Sequence, residues 1–361
     1  MKIMKKYLSM FAFVLTGTLM FVSCDDDGDS NEPTICPAVI SDGLYVVNEG
    51  SFYKKINGSL DYLDYKTWKA TRNVFQSANG RSLGGTPNSA VINERGEMYI
   101  ATTDENRVEI VNPKTSKSIA VAKIRQPREL AIDNGCVYVS SYTGKVYKID
   151  SQSYKVVDSS KVVGANLEGI ATTNGYVYVC NSHNPDYTFN TNVVKLDKQL
   201  DKVKDVKVLV NPTQILALNN ELFVISIGNY KDINPTVQQI DIKTDHVSVI
   251  GAGTMMAAGT DRLYIINSPW GKPATYNAYD LTNKTMSKWV DGSEILYPYG
   301  VGVDPITGDV FVTSQNKDAV TGRASYVTDG YLARYTRDGN FKGKYPCGVN
   351  PGTIVFLNHQ E

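Results

Sequence analysis

Histidine and cysteine are scarce in this 361-residue chain, three of the first and five of the second. His183, His246 and His359 share no ligand spacing, and no two cysteines form a CxxC pair, so the sequence holds no zinc finger or ribbon. Net charge is missing as well. The 37 Lys and Arg balance 37 Asp and Glu, which leaves no basic footprint for nucleic acid. There is no GxSxG, no HExxH and no phosphate-cradling glycine loop, so the common hydrolase and nucleotide signatures are absent. No window sustains a helical period. Long apolar runs are scarce too, and the longest lies at the extreme N-terminus.

That run, Tyr7 to Val22, follows Lys2, Lys5 and Lys6 and stops at Cys24. A basic segment before an apolar stretch of this length reads as a secretory signal rather than a membrane span. The terminal "FVSC" resembles a bacterial lipobox: Ser23 is the small residue expected before a lipidated Cys24, although Phe21 stands where Leu is commoner. "DDDGDSNEP" comes next, an acidic tether without apolar residues, similar to the export signals of surface lipoproteins in Bacteroidetes. The expected organisation is therefore a signal peptide over 1–23, a lipidated cysteine and tether over 24–37, and one folded domain over 38–361. The expected address is the outer membrane, lipid-anchored and displayed on the cell surface. Without Lys2, Lys5 and Lys6 the 37 basic side chains become 34, against 37 acidic.

What the chain has in abundance is repetition. "GLYVVNEG" at Gly43 returns as "GEMYIATT", "GCVYVSSY", "GYVYVCNS", "ELFVISIG", "RLYIINSP" and "GDVFVTSQ". The equivalent aromatics are Tyr45, Tyr99, Tyr138, Tyr178, Phe223, Tyr264 and Phe311, spaced by roughly 40–55 residues, the period of propeller blades. Before each copy stands a turn and a short apolar strand, such as "TPNSAVIN" or "NPTQILAL". After each stands a strand ending in an acid, Asn or Thr that closes a hairpin on its own backbone, as in "KVYKIDSQS". Four short alternating strands repeated seven times make an all-β, seven-bladed β-propeller. The chain enters at a second strand (Gly43) and finishes on "NPGTIVFL", a first strand, so the C-terminal strand should complete the N-terminal blade and seal the ring. Cys36 and Cys347 flank that closure and are expected to form a disulfide. Cys136 and Cys180 read as unpaired packing residues.

In such a ring the loops after second strands and before first strands emerge on one face, around the central channel. The expected ligand-binding residues are drawn from those loops. Phe52, Tyr53, Tyr142, Tyr187, Phe189, Tyr230, Trp270, Tyr276, Tyr299 and Tyr326 supply aromatic area, and Asn88 and Gln214 supply amides. Arg128, Glu168 and His183 add charge and hydrogen bonding. The opposite turns ("NERG", "IDNG", "TTNG") are short and plain, an asymmetry that a binding face on a rigid scaffold produces. Glu49, Glu129, Glu168 and Asp104 also belong near this face, but they come from separate blades and nothing in the sequence groups them. No catalytic residue, metal or cofactor is assigned.

Together, "LYVVNEGSF", the G-x-V-Y-V strands, the closing "NPGTIVFL" and the lipobox with its acidic tether resemble the YncE-like surface lipoproteins of Bacteroidetes, and among them the BtuG-like group. The likeness spans the whole chain after the signal. It implies a non-enzymatic cell-surface protein that captures cobalamin (vitamin B12) or a related corrinoid and passes it to a BtuB-like, TonB-dependent outer-membrane transporter. Two other readings stay open: an adaptor or lid for a different nutrient transporter, and a lactonase-like hydrolase with a metal in its channel.

Overall fold

The structure, a computed structural model, describes residues 38–360. The expected signal peptide and tether, with Cys24 and Cys36, lie outside the described residues, and so does the expected Cys36–Cys347 pairing. Seven four-stranded antiparallel sheets follow one another around a ring. Strands β1–β28 are numbered along the chain. The innermost strands are β4 (Pro87–Ile92), β8 (Pro127–Asp133), β12 (Asn166–Thr173), β16 (Pro212–Leu218), β20 (Met255–Ala258), β24 (Tyr297–Val303) and β28 (Pro351–Gln360). Beside each lies a second strand: β5 (Met98–Thr102), β9 (Cys136–Ser141), β13 (Tyr176–His183), β17 (Glu221–Ser226), β21 (Arg262–Asn267), β25 (Val310–Gln315) and β1 (Val39–Asn48).

Ring closure follows the sequence reading. β28 pairs with β1 over the span Val39↔Gln360 to Asn48↔Pro351, so the last strand is the innermost strand of the first blade. A polar latch reinforces the seam. Asp61, 2% exposed, accepts from Asn48 Nδ2 (2.8 Å), Asn73 N (2.8 Å) and Gly348 N (2.9 Å), and pairs with Arg72 Nε at 2.8 Å. Arg72 also reaches Asp329 of the seventh blade at 3.1 Å.

The recurring aromatic explains what holds neighbouring blades together. Side chains alternate across a strand, so each second strand packs one way with its odd residues and the other way with its even ones. Tyr45 and Val47 of β1 pack against Met98 and Ile100 of blade two, while Leu44 and Val46 meet Phe311 of blade seven. Tyr99 meets Val137 and Val139, and Tyr138 meets Val177 and Val179, in the same way. All seven aromatics are 0–2% exposed. The core is thus a chain of interblade layers instead of one central mass.

The turns obey local chemistry. Asn134-Gly135, Asn174-Gly175 and Asn219-Asn220 take φ values of 48–76° at both positions, the conformation of tight hairpin turns. At the outer hairpins, Asp241 Oδ1 accepts from the amides of Lys243 (2.8 Å) and Thr244 (3.0 Å), and Asp280 Oδ1 from Thr282 and Asn283 (both 2.8 Å). Cys136 and Cys180 are free thiols, packed against interblade cores. One element departs from the sequence reading. A six-residue helix, α1 (Val74–Asn79), sits between the first and second blades and buries Phe75. At under two turns it is too short to set up an apolar period, which is the signal that reveals longer helices.

A candidate ligand-binding face and central channel

Six of the seven innermost strands carry a register shift at their first residues: between Pro87 and Ser89, Pro127 and Leu130, Leu167 and Ile170, Pro212 and Gln214, Pro298 and Gly300, and opposite Asn48 in β28. A bulge re-aims the side chain beside it. Here the effect is to bring Asn88, Arg128, Glu129, Gln214 and Tyr299 to a central channel of about 440 Å³, together with Glu49 from the loop after β1.

These side chains are stitched blade to blade. Asn88 Nδ2 donates to Glu129 Oε1 (2.6 Å), and Thr353 Oγ1 donates to the Asn88 carbonyl (2.9 Å). Arg128 pairs with Glu168 at 3.1 Å and lies over the Tyr142 ring, 4.5 Å from its centre. The Tyr142 hydroxyl also donates to Glu168. Gln214 clamps both backbone groups of Met256, at 3.0 and 3.1 Å. Tyr299 donates to Glu49 Oε2 at 2.7 Å. The innermost strands of neighbouring blades run so close that a Cβ on Gly300 would stand 2.0 Å from the Gly352 carbonyl oxygen.

Three carboxylates and one guanidinium therefore share this enclosure. Glu129 is partly exposed to the channel, yet the dense protein around it disfavours its charged form and pushes its pKa up to about 7, with Glu168 and Glu49 adding repulsion. Burial likewise raises Glu49, against the opposing hydrogen bond from Tyr299 and the charge of Arg128. The sequence reading placed Glu49 and Glu129 near the face but did not group them. A usable signal existed: "TPNS", "QPRE" and "NPTQ" each put a polar side chain one or two places after a proline at the head of an inner strand. Among the described residues, no group of three or more His, Cys, Asp or Glu side chains is arranged to hold a metal ion.

Above the channel the loops spread an aromatic collar. Phe52 is 68% exposed, Tyr53 91%, Tyr187 77%, Tyr230 74%, Trp270 79% and Tyr326 50%. All lie in loops after second strands. His183 stacks on Tyr187 (6.0 Å, 8° between planes) and meets Tyr142 edge-on at 5.9 Å. Phe189, half-buried, packs edge-on against Tyr230 at 5.9 Å. Arg323, absent from the sequence-derived set, stands 6.0 Å above the Trp270 ring. Tyr276 requires correction. At 3% exposure it belongs to the core between blades six and seven, because it begins the inward alternation of its strand rather than ending the loop. Gln214, with both ends of its amide already engaged, is an interblade clamp. Cys347 is buried beside β1.

Residues 42–327 match the profile of the family described as domain of unknown function DUF5074. The chain belongs to that family. No curated protein matches it. Among solved structures it is similar to a hypothetical selenium-binding protein from Sulfolobus tokodaii (TM-score 0.64, 10% identity, covering 88% of this chain and 93% of that one). It is also similar to a candidate 6-phosphogluconolactonase from Bacteroides uniformis (0.62, 10%, 88% and 100%). A third is AztD from Citrobacter koseri (0.54, 12%, 88% and 98%). At these identities the likeness shows the seven-bladed propeller fold and nothing finer.

Proposed function

We propose that this DUF5074 propeller is a non-catalytic capture protein that binds a corrinoid, cobalamin or a close relative, on its loop face. In this reading it is tethered to the outer membrane through Cys24 and yields its ligand to a TonB-dependent transporter. The observation that carries the reading is the collar: six aromatic side chains at least half exposed, all in loops of one face. Among the described residues, the one other exposed aromatic is Phe341, on an outer strand. Solvent-exposed aromatic area on this scale is uneconomical unless a ligand covers it. A corrinoid is a broad disc rimmed by amides, and it needs aromatic surface for the ring and hydrogen-bond partners around it. The collar supplies the first, and the hydroxyls of Tyr53, Tyr187, Tyr230 and Tyr326, exposed in the same loops, supply donors and acceptors for the second.

The hydrolase reading has one observation in its favour. Glu129, with a pKa near 7 beside Asn88, has the protonation behaviour of a general base. Against it, Arg128 and Tyr142 already occupy Glu168, and Asn88 occupies Glu129.

The test is gel filtration of residues 25–361 premixed with cyanocobalamin. Stoichiometric colour eluting with the protein is the expected result. Complete separation of pigment from protein overturns the corrinoid assignment, and hydrolysis of lactones on addition of a divalent metal would replace it with the hydrolase.

A further inference from the structure

Where blades one and seven meet, the loop face contains a second hollow of about 460 Å³, within the size range of small-molecule sites. Phe52, Tyr53, Tyr299 and Tyr326 line it together with Glu49 and Asn350. We propose that this hollow is a binding site for an organic cation, an alkylammonium or quaternary ammonium group. The proposal does not rest on the corrinoid reading, and either can fail while the other stands.

Two observations point to such a ligand. The first is the wall. Four aromatic rings surround one hollow, and three of them are at least half exposed: Phe52, Tyr53 and Tyr326. Phe52 and Tyr53 are set edge-to-face with centres 5.6 Å apart. The face of an aromatic ring carries negative potential, and several rings around one space are the usual receptor for a cation too large and too poorly hydrated for a carboxylate alone.

The second is the carboxylate. Glu49 Oε2 accepts from Tyr299, but its other oxygen has no hydrogen-bond donor among the described residues, and Glu49 makes no ion pair among them. That oxygen is not among the buried, unpartnered atoms; it lies on the Gly352 side, where Glu49 forms the wall shared by the hollow and the central channel. Lys54 stands on the rim, exposed and unpaired with Glu49. Tyr299, Arg128, Glu129 and Glu168 are the other titratable or charged groups facing Glu49 from the neighbouring strands. Arg128 is held by Glu168 and lies over Tyr142, so the nearest fixed cation is already engaged. A ligand cation would supply the missing partner, and it would favour the ionised form of a carboxyl whose surroundings otherwise favour the neutral one.

The experiment is a calorimetric titration of the soluble domain with choline and with 3,3-dimethylbutan-1-ol, which has the same shape without the charge. Choline is expected to bind saturably at one site, about tenfold or more tighter than the neutral isostere. Glu49→Gln, which keeps an acceptor for Tyr299, and Tyr326→Ala are each expected to weaken choline about tenfold. Binding should also weaken as pH falls and Glu49 takes up a proton. Equal binding of the isostere overturns the proposal, as does the absence of saturable choline binding, or choline affinity unchanged in Glu49→Gln. If Glu49→Gln does not fold, Tyr326→Ala and the pH series in the unaltered protein decide the matter.

Discussion

Individual side chains divide into those whose role local chemistry announces and those whose role depends on a neighbour one blade away. Tyr187 and Trp270 belong to the first kind, being aromatics in polar loops, and the structure leaves them 77% and 79% exposed. Tyr187→Ala and Trp270→Ala are expected to weaken cobalamin binding by about tenfold each while changing stability by less than about 0.5 kcal/mol. Paired binding titrations and urea melts check this; an unchanged affinity with a lowered melt would make both residues structural. Glu129 belongs to the second kind. Its folded-state pKa, near 7, lies above that of an unfolded glutamate. Between those values the folded protein holds a proton that the unfolded chain has released. Stability should therefore fall as pH rises through about 4.5 to 7, by on the order of 2 kcal/mol once water in the channel is allowed for, and then level off. Urea melts at pH 5 and pH 8 should show this drop, and Glu129→Gln should flatten it. A drop of equal size in the variant would assign it to other groups.

At the scale of elements, the sequence was most informative where both partners of an interaction lie within a few residues. The outer hairpins were legible because Asp241 and Asp280 bond amides two and three places ahead. The second strands were legible because their alternation is periodic over six residues and recurs seven times. Tyr276 was misplaced for a related reason: the opening residues of a strand and the last residues of a loop look alike in sequence, and only pairing with Ile266 decides which it is. The channel was not legible. Asn88 meets Glu129, Arg128 meets Glu168 and Gln214 meets Met256, each pair one blade apart, and only the closed ring brings them together. Phe311, 0% exposed, spans the seam from blade seven to Leu44 and Val46 of blade one. Phe311→Ala should destabilise by about 3–5 kcal/mol, read by urea denaturation, because the strands around it are fixed on both sides and cannot collapse into the space. A loss below about 1 kcal/mol would mean that the seam relaxes freely.

For the whole molecule, the same closure that seals the ring also creates its asymmetry. The long loops 49–58, 227–235, 268–274 and 316–328 follow the second strands of blades one, five, six and seven. The hairpins between first and second strands on the opposite face span no more than 304–309, so the repeats collect their long loops around a single channel mouth. A rigid ring keeps that collar assembled before any ligand arrives, which lowers the ordering cost of binding. The proposed corrinoid site lies on this face and not on the opposite one. Hydrogen–deuterium exchange with and without cyanocobalamin tests it most directly. Slowed exchange is expected in the loops over 184–188, 227–235, 268–274 and 316–328, with no change in the hairpins around Asn134-Gly135, Asn174-Gly175 and Asn219-Asn220. Unchanged exchange throughout, or protection confined to those hairpins, would contradict it.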